Sequence, residues 1–323
     1  MAAVSRTDSW DAAWTLTADT HRKRLSDNIF DAYPFLDFMF KNDNVEIERG
    51  GRVIREDLLY GTNTAEFYSG YDVLSTSAVD GVTAAFYNWR YAAVPITINQ
   101  QEEMQNRRRE DAVSLLLAKT EQSMLSLRDQ INASLFSSQS GKSCLGLQDI
   151  VADNSGTTLA GINATNETWW ENKRDTTSTD FDSVSSNIYA GPALMGTLFN
   201  ECSEGNETPN YLVSTLTFYG QYEKILESTG YTRFQANQGT PGLNAQNATF
   251  RGIPFTYDRD CPSGHLYFLN TRYLKLKIME GQNFSKSPFR HNTNQLARVA
   301  FITVGLQLIS NNRRRQGVLT ALT

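Results

Sequence analysis

The spacing of apolar and polar residues changes several times along the chain, and the first clear pattern is an alternation. Val45 and Ile47 alternate with glutamates, Gly50 and Gly51 follow, and Val53 resumes the pattern. A period of two is typical of a strand with one buried face, and paired glycines favour a tight turn. We therefore predict a hairpin that turns at Gly50 and Gly51. Further β-rich stretches broken by glycine predict an extended loop over residues 45–98.

The pattern then changes to a helical period. No glycine or proline occurs from residue 96 to residue 140, and Asn99 followed by Glu102 resembles a capping box. Apolar residues recur on one helical face, namely Val113, Leu117, Met124, Leu127, Ile131 and Leu135. About 40 residues at 1.5 Å each predict a rod of roughly 60 Å. Because Thr120 interrupts the stripe, we expect packing on a sheet and not a coiled coil.

Alternation returns near the end of the chain. Leu274, Leu276 and Ile278 are separated by lysines, which predicts a strand with one buried face. A second strand is predicted from the alternating residues Ala300, Ile302, Val304, Leu306 and Leu308. These strands would supply the sheet that the long helix needs. Residues 141–262 are mixed and rich in loop residues, so we interpret them as a second, α+β domain.

Residues 1–44 are predicted to form an arm. A helix is expected to begin near Asp19 or Thr20 and to stop at Pro34. The cluster that follows is too apolar for water and must dock on its own body or on a neighbouring molecule. Its aromatic members, Phe35, Phe38 and Phe40, are therefore candidates for an assembly interface.

Composition excludes several classes of protein. The chain has 323 residues, of which 40% are hydrophobic, so it can bury a real core and is not mainly disordered. Its formal net charge of −5 gives no electrostatic reason for tight nucleic-acid binding. Three dispersed cysteines indicate no disulfide framework and fit a reducing cytoplasm. Early charged residues exclude a secretory leader, and no apolar run is long enough to span a bilayer.

Motifs for catalysis are incomplete. Gly141, Lys142 and Ser143 resemble the end of a phosphate-binding loop, but Phe136 stands where that motif requires its first glycine. Cys261 and His265 have a metal-like spacing, yet no second pair converges on them in sequence, so a plain turn is favoured. We therefore expect no enzyme activity, no cofactor and no metal ion.

Two arginine clusters stand out from this background. They are Arg107, Arg108 and Arg109 on the predicted helix, and Arg313, Arg314 and Arg315 after the last strand. Neither cluster is interleaved with aromatic residues, as it would be in a site for single-stranded nucleic acid. We favour a structural role or a role at a subunit interface over contact with nucleic acid.

The order of these parts resembles the major capsid proteins of tailed bacteriophages, whose fold is named after phage Hong Kong 97. Short motifs support the resemblance at residues 50–54, 60–64, 68–72, 83–89, 102–106, 146–151, 169–170 and 295–315. The resemblance implies an α+β fold with five parts: an N-terminal arm (residues 1–44), an extended β-hairpin loop (45–98), a long spine helix of the peripheral domain (99–140), an axial domain (141–262), and the peripheral-domain sheet with the C-terminus (263–323). It adds Gly50, Gly51, Tyr71 and Trp89 to the interface candidates.

The resemblance also implies a function. The protein would be a structural subunit that assembles with itself into pentamers and hexamers, and these would form an icosahedral head around double-stranded DNA. The DNA would be held by weak non-specific contact. Portal, decoration and separate scaffold proteins would be further partners, and no membrane would be involved. The subunit would reside in the virion capsid after assembly in the bacterial host cytoplasm.

Two departures from the family pattern carry expectations. Many relatives begin with a cleaved scaffolding segment, whereas here the arm and the loop fill the sequence before Asn99, so we expect a separate scaffold or none. Some relatives join a loop lysine to an asparagine of a neighbour, but no lysine occurs between Lys41 and Lys119. The nearest alternative is an encapsulin-like nanocompartment that holds cargo enzymes. A hydrolase lacks a catalytic set here, and a surface glycan-binding module lacks an export signal.

Overall fold

A computed structural model describes residues 33–63, 65–74, 80–105, 109–176, 181, 190–228, 248–292 and 295–320. The helix expected from Asp19 or Thr20 lies outside these residues. The described helices are α1 (Pro34–Lys41), α2 (Gln100–Gln105), α3 (Arg109–Phe136), α4 (Leu147–Ile150), α5 (Ala190–Cys202) and α6 (Leu216–Ser228). Single 3₁₀ turns lie at Thr168–Trp170, Thr271–Tyr273 and Arg313–Arg315. Helices and strands mix along the chain, as an α+β fold requires.

The strands form two large sheets and two small hairpins. In chain order they are β1 (Val45–Glu48), β2 (Val53–Leu59), β3 (Val82–Asn88), β4 (Arg90–Asn99), β5 (Thr158–Leu159), β6 (Ile162–Asn163), β7 (Lys173–Asp175), β8 (Tyr211–Ser214), β9 (Ala248–Phe250), β10 (Ile253–Tyr257), β11 (Leu266–Leu269), β12 (Leu274–Met279), β13 (Ser285–Lys286), β14 (Arg290–His291), β15 (Ala297–Ser310) and β16 (Gly317–Leu319). The first sheet has the order β1-β12-β15-β13, with β14 and β4 also paired to β15. The second has the order β7-β16-β11-β8-β10-β9. Two pairs, β2–β3 and β5–β6, stand apart.

Helix α3 packs on the first sheet, as expected. Its buried residues Met124, Leu127, Ile131 and Leu135 share one hydrophobic core with the alternating residues of β15. The predicted stripe is wrong by one residue in the first part of the helix. Leu116 is fully buried, whereas Leu117, which was predicted to face the core, is only half-buried. Thr120 keeps the stripe continuous by donating its hydroxyl to the Leu116 carbonyl at 2.7 Å.

Both ends of the predicted helix have local causes. The expected cap is present, because Glu102 Oε2 accepts the Asn99 backbone N–H at 3.1 Å. At the other end, α3 stops at Phe136 and does not continue to residue 140. The Asp149 carboxylate accepts the Gln139 backbone N–H and the Ser138 hydroxyl, each at 2.7 Å. These bonds hold the backbone after Phe136 in a non-helical path.

The predicted hairpin at Gly50 and Gly51 is wrong. Strand β1 pairs in parallel with β12, while β2 pairs antiparallel with β3 from Val53 opposite Asn88 to Leu59 opposite Val82. An ion pair favours β12 as the neighbour of β1, because Glu46 of β1 lies 2.5 Å from the ammonium group of Lys275 in β12. An alternating pattern defines which face of a strand is buried but not which strand lies beside it.

The second sheet contains strands from both sides of residue 262. Strands β11 and β16 come from the stretch expected to belong to the peripheral domain, yet they pair with β8 and β7. The end of the chain therefore closes the second sheet after β15 has completed the first. Helices α5 and α6 cover this sheet with a separate apolar core that includes Met195, Phe218 and Phe255.

Candidate assembly surfaces

Helix α1 is docked on its own subunit. The Phe35 side chain is wholly buried, with its ring centroid 5.5 Å from Phe136 and 6.0 Å from Tyr211. Of the two docking sites expected for this cluster, Phe35 uses its own subunit, so its place among the interface candidates is wrong. Phe38 stacks on Tyr211 at 4.3 Å and is half-buried, as is Phe40. A role for these two rings in assembly stays a prediction.

Trp89 also faces inward. Only 8% of its surface is exposed, so it is a core residue and not the interface residue that the sequence suggested. Tyr87 on the same face of β3 is buried and donates its hydroxyl to the Ser310 carbonyl at 2.6 Å. This bond fixes the root of the β2–β3 hairpin to the subunit. Gly50 and Gly51 are exposed in the connection that precedes β2.

The exposed apolar surface is concentrated at the far end of that hairpin. We call residues 65–74 the loop tip. Its fully or largely exposed apolar side chains are Phe67, Tyr68, Tyr71 and Val73. Four large apolar side chains on one short segment exceed what a soluble monomer usually presents to water. Tyr71 therefore lies where an interface residue must lie, although its contact with a second copy stays a prediction.

A narrow neck separates the loop tip from the body. The backbone N–H groups of Tyr60 and Gly61 both donate to the Gly81 carbonyl, at 2.9 and 3.3 Å. A Cβ atom added to Gly81 would lie 2.7 Å from the Gly61 oxygen, so the two chain segments approach closely only because this position is glycine. The Tyr60 ring stacks on Trp169 at 4.9 Å and anchors the neck.

The outer face of the first sheet is a second exposed surface. Phe301 and Pro95 are paired across β15 and β4, and both are exposed. Tyr91 lies on the same face and covers Gly305, where an added Cβ would approach the ring to 3.1 Å. No described residue covers the Phe301 ring fully, since 45% of its surface is exposed.

The free edge of β4 is blocked against further strand pairing. The Lys119 ammonium group donates to the Thr97 carbonyl at 3.0 Å, and the Ser123 hydroxyl donates to the Pro95 carbonyl at 3.4 Å. Pro95 itself has no N–H to offer a neighbouring strand. Helix α3 therefore occupies this edge, and a second copy cannot add a strand beside β4.

The two arginine clusters differ in their surroundings. Arg107 and Arg108 lie outside the described residues, and Arg109 is the first residue of α3. Arg313 is fully buried and is not an interface residue, which corrects that expectation. Arg314 is exposed, and Arg315 pairs with Glu204 at 2.7 Å.

The buried Arg313 joins three separate segments. Its guanidinium donates to the Ile150 carbonyl at 2.7 Å, to the Thr157 hydroxyl at 3.1 Å and to the Asn172 amide oxygen at 3.3 Å. No carboxylate lies within salt-bridge distance among the described residues, and burial lowers the pKa of Arg313 to about 10. The guanidinium of Arg313 therefore has a structural role, because it links these segments through hydrogen bonds to neutral acceptors.

A charge cluster that sequence reasoning missed fixes the base of the loop. The Lys277 ammonium group lies 2.6 Å from Glu46, 3.0 Å from Glu56 and 3.6 Å from Glu48. Burial alone would lower the pKa of Lys277, but hydrogen bonds to Glu46 and Glu56 outweigh it and raise the pKa. The only sign of this cluster in the sequence is the alternation of lysines along β12, from which only a strand with one buried face was predicted.

The remaining chemical motif is a structural turn. Cys261 and His265 lie in the connection between β10 and β11, where the His265 ring is held by the Asp153 carboxylate at 2.9 Å and the Ser263 carbonyl at 2.8 Å. Within the described ranges, no three His, Cys, Asp or Glu side chains come together as metal ligands. The helices in those ranges include none that is long and apolar enough to cross a membrane.

Comparisons with known proteins identify the fold. No protein-family model matches the chain, and no curated protein matches it in sequence. The capsid asymmetric unit of cyanophage A-1(L) has a TM-score of 0.67 at 13% identity, over 87% of this chain and 90% of that one. The capsid of the native GTA particle gives a TM-score of 0.62 at 11% identity, over 87% and 89% of the two chains.

A third structure with this architecture is a different kind of shell. The holo-SrpI encapsulin complex from Synechococcus elongatus has a TM-score of 0.56 at 10% identity, over 88% of this chain and 87% of that one. Each of these matches covers at least 87% of this chain and at least 87% of the other chain. The chain therefore has the Hong Kong 97-like fold that these capsid and encapsulin subunits share.

Proposed function

We propose that this protein is the major structural subunit of the icosahedral head of a tailed phage. The observation that carries the proposal is the architecture, which agrees with the cyanophage capsid subunit at a TM-score of 0.67, higher than the 0.56 obtained with the encapsulin. Copies would assemble into pentamers and hexamers that close around packaged double-stranded DNA.

The exposed apolar surfaces support self-assembly. The loop tip and the outer face of the first sheet present aromatic side chains that a monomer would keep covered. In a closed shell each subunit meets several neighbours, so many modest contacts add up to a stable particle. The role we infer is structural and not catalytic, and it requires no cofactor.

The net charge of the chain indicates how strongly the shell would bind DNA. A net charge of −5 opposes tight binding of a polyanion, so we propose only weak, non-specific contact between the shell and the packaged genome. The DNA would then be confined by the closed shell. Scaffold, portal and decoration proteins are further proposed partners, with assembly in the host cytoplasm and the final location in the virion.

An encapsulin-like nanocompartment is the second candidate, favoured by the similarity to the holo-SrpI complex. The two functions differ in what the particle contains. A head would enclose nuclease-protected double-stranded DNA in native particles, whereas a nanocompartment would co-purify with a cargo protein in stoichiometric amounts. Analysis of the contents of native particles therefore distinguishes them.

Sedimentation and negative-stain microscopy of the purified protein test the proposal. We expect rings or closed shells, either from the protein alone or after addition of its proposed scaffold protein. A monodisperse monomer that persists at high concentration with the scaffold present would contradict the proposed function.

A further inference from the structure

A polar cavity opens beside the neck of the loop. Its volume is about 380 Å³, and the side chains that matter here are Trp169, Glu171, Lys173, Arg174, Glu201 and Arg314. Trp169 forms one wall, with its ring stacked on Tyr60 of the neck. The cavity and the base of the loop are therefore neighbouring features of one subunit.

The cavity carries one uncompensated positive charge. Arg174 and Glu171 neutralise each other at 2.6 Å. This leaves Lys173 and Arg314, neither of which has an ion-pair partner among the described residues, against the exposed carboxylate of Glu201. Two positive charges and one negative charge leave a net charge of +1. A cavity with a net charge of +1 and an aromatic wall fits a partner that presents one carboxylate beside an aromatic ring.

The loop tip offers that pair of groups. Glu66 is exposed, and Tyr68, which is 70% exposed, lies two residues further along the tip, so a carboxylate and an aromatic ring are near neighbours in this segment. The other carboxylate of the tip is already used, because Asp72 accepts the Ser69 backbone N–H at 2.8 Å. Glu66 is thus the acidic group of the loop tip that is available to a partner.

The loop tip does not reach the cavity of its own subunit, because Phe67 and Tyr71 are fully exposed beyond the neck. A tip of one copy and a cavity of another are different surfaces, so their contact is heterologous. Heterologous contacts produce closed rings when the rotation between copies closes. This is the symmetry that pentamers and hexamers need.

We propose that the loop tip of one copy inserts into the Trp169 cavity of the next, with Glu66 held by Lys173 and Arg314 and with Tyr68 against Trp169. The inference rests on the proposed self-assembly and specifies one of its contacts. It makes the basic cavity a receptor for a second copy of this chain and not for nucleic acid.

Charge reversal tests the contact. Glu66→Lys, and separately the double substitution Lys173→Glu with Arg314→Glu, should each raise the protein concentration needed for ring formation by about tenfold or more. Combining all three substitutions should recover most of the assembly, because a positive group at position 66 then meets a negative cavity. Asp80→Lys is the matched control: it makes the same charge change at an exposed position of the loop, and it should leave assembly unchanged.

Further variants keep the outcome clear. Glu201→Gln removes the competing carboxylate and should lower the concentration required for rings. Copies carrying Glu66→Cys, mixed with copies carrying Lys173→Cys, should form a disulfide-linked dimer under oxidation, and Asp80→Cys should not replace Glu66→Cys.

Three results would overturn the inference. The first is unchanged assembly of both charge-reversed proteins, and the second is failure of the triple variant to recover while its circular dichroism is native. The third is a Lys173→Glu and Arg314→Glu protein that assembles normally but loses bound DNA, which would assign the cavity to the genome. If the unmodified protein forms no rings with its scaffold, the proposed function itself fails.

Discussion

Lys277 of β12 and Glu56 of β2 form an ion pair at 3.0 Å that joins the β2–β3 hairpin to a sheet with which it shares no strand pairing. Glu46 of β1 meets the same ammonium group at 2.6 Å. Together with the bond from Tyr87 to Ser310, this cluster holds the root of the loop while the tip stays exposed. A loop that is fixed at one end and free at the other suits a contact with a neighbouring subunit.

Removal of the shared cation should destabilise the subunit. Lys277→Met leaves Glu48 and Glu56 without a cation and Glu46 with Lys275 alone, which should lower the free energy of unfolding by about 2–4 kcal/mol. Urea unfolding of unassembled subunits measures the change. Lys275→Met is the matched control, because Lys275 pairs only with Glu46 and is more exposed, and it should cost about 0.5 kcal/mol. Equal losses in the two variants would contradict the assigned role.

The same cluster predicts a pH dependence. Burial would raise the pKa of Glu46, but hydrogen bonds from Lys275 and Lys277 outweigh it and hold the pKa below its ordinary value of 4.5. A lowered pKa in the folded state stabilises the fold above the unfolded value, and the contribution disappears as pH falls through the folded value. The stability difference between the wild type and Glu46→Gln should therefore be present at pH 7, begin to fall near pH 4.5 and disappear only at a lower pH, once the folded-state pKa has been passed. A difference that stays constant down to pH 3 would refute this.

Two adjacent arginines should respond very differently to the same substitution. Arg313→Met removes a buried group that donates to several buried acceptors, and it should lower the free energy of unfolding by about 3 kcal/mol. Arg314→Met changes an exposed side chain and should stay within about 0.5 kcal/mol. Thermal unfolding of unassembled subunits compares the two. Arg314→Met should instead weaken ring formation, which separates its role from that of Arg313.

The sequence predicted helices and strands better than it predicted which strands pair with each other. The long helix, its cap and the alternating strands β12 and β15 were recognisable because each depends on residues close together in the chain. The pairing of β1 with β12 was not, since it joins Glu46 to Lys275, which are 229 positions apart. Gly50 and Gly51 suggested a nearer partner that the structure does not use.

Predictions that relied on residue type were wrong at two positions where burial determines the role of the side chain. Phe35 and Arg313 were both interface candidates, Phe35 because its cluster had to dock on its own body or on a neighbour, and Arg313 as a member of a basic cluster. Each is fully buried in its own subunit. Burial depends on what lies across the fold: Phe136 and Tyr211 pack on Phe35, and carbonyl and side-chain oxygens of distant segments accept the Arg313 donors. Nothing within a few residues of either position indicates those partners.

Limited proteolysis should distinguish free from assembled subunits. Chymotrypsin cleaves after large aromatic residues, and Phe67, Tyr68 and Tyr71 are exposed on the loop tip. We expect rapid cleavage there in free subunits and strong protection in shells, with mass spectrometry of the fragments to locate the cut. The buried aromatic residues, such as Phe35, serve as an internal control and should stay uncut in both states. Equal rates of cleavage at the tip would mean that assembly leaves it exposed.

The shells should be held together by non-covalent contacts alone. An isopeptide bond between subunits needs a neutral lysine amine close to an amide, yet no lysine occurs between Lys41 and Lys119 and the loop has none to offer. The lysines at its borders are engaged, because Lys41 pairs with Asp37 at 2.5 Å and Lys119 pairs with Glu102 at 2.6 Å. Mature particles boiled in detergent and reductant should therefore run as one band near 36.3 kDa. A ladder of larger species would contradict the prediction, and its disappearance in Lys41→Arg would identify that residue as the donor.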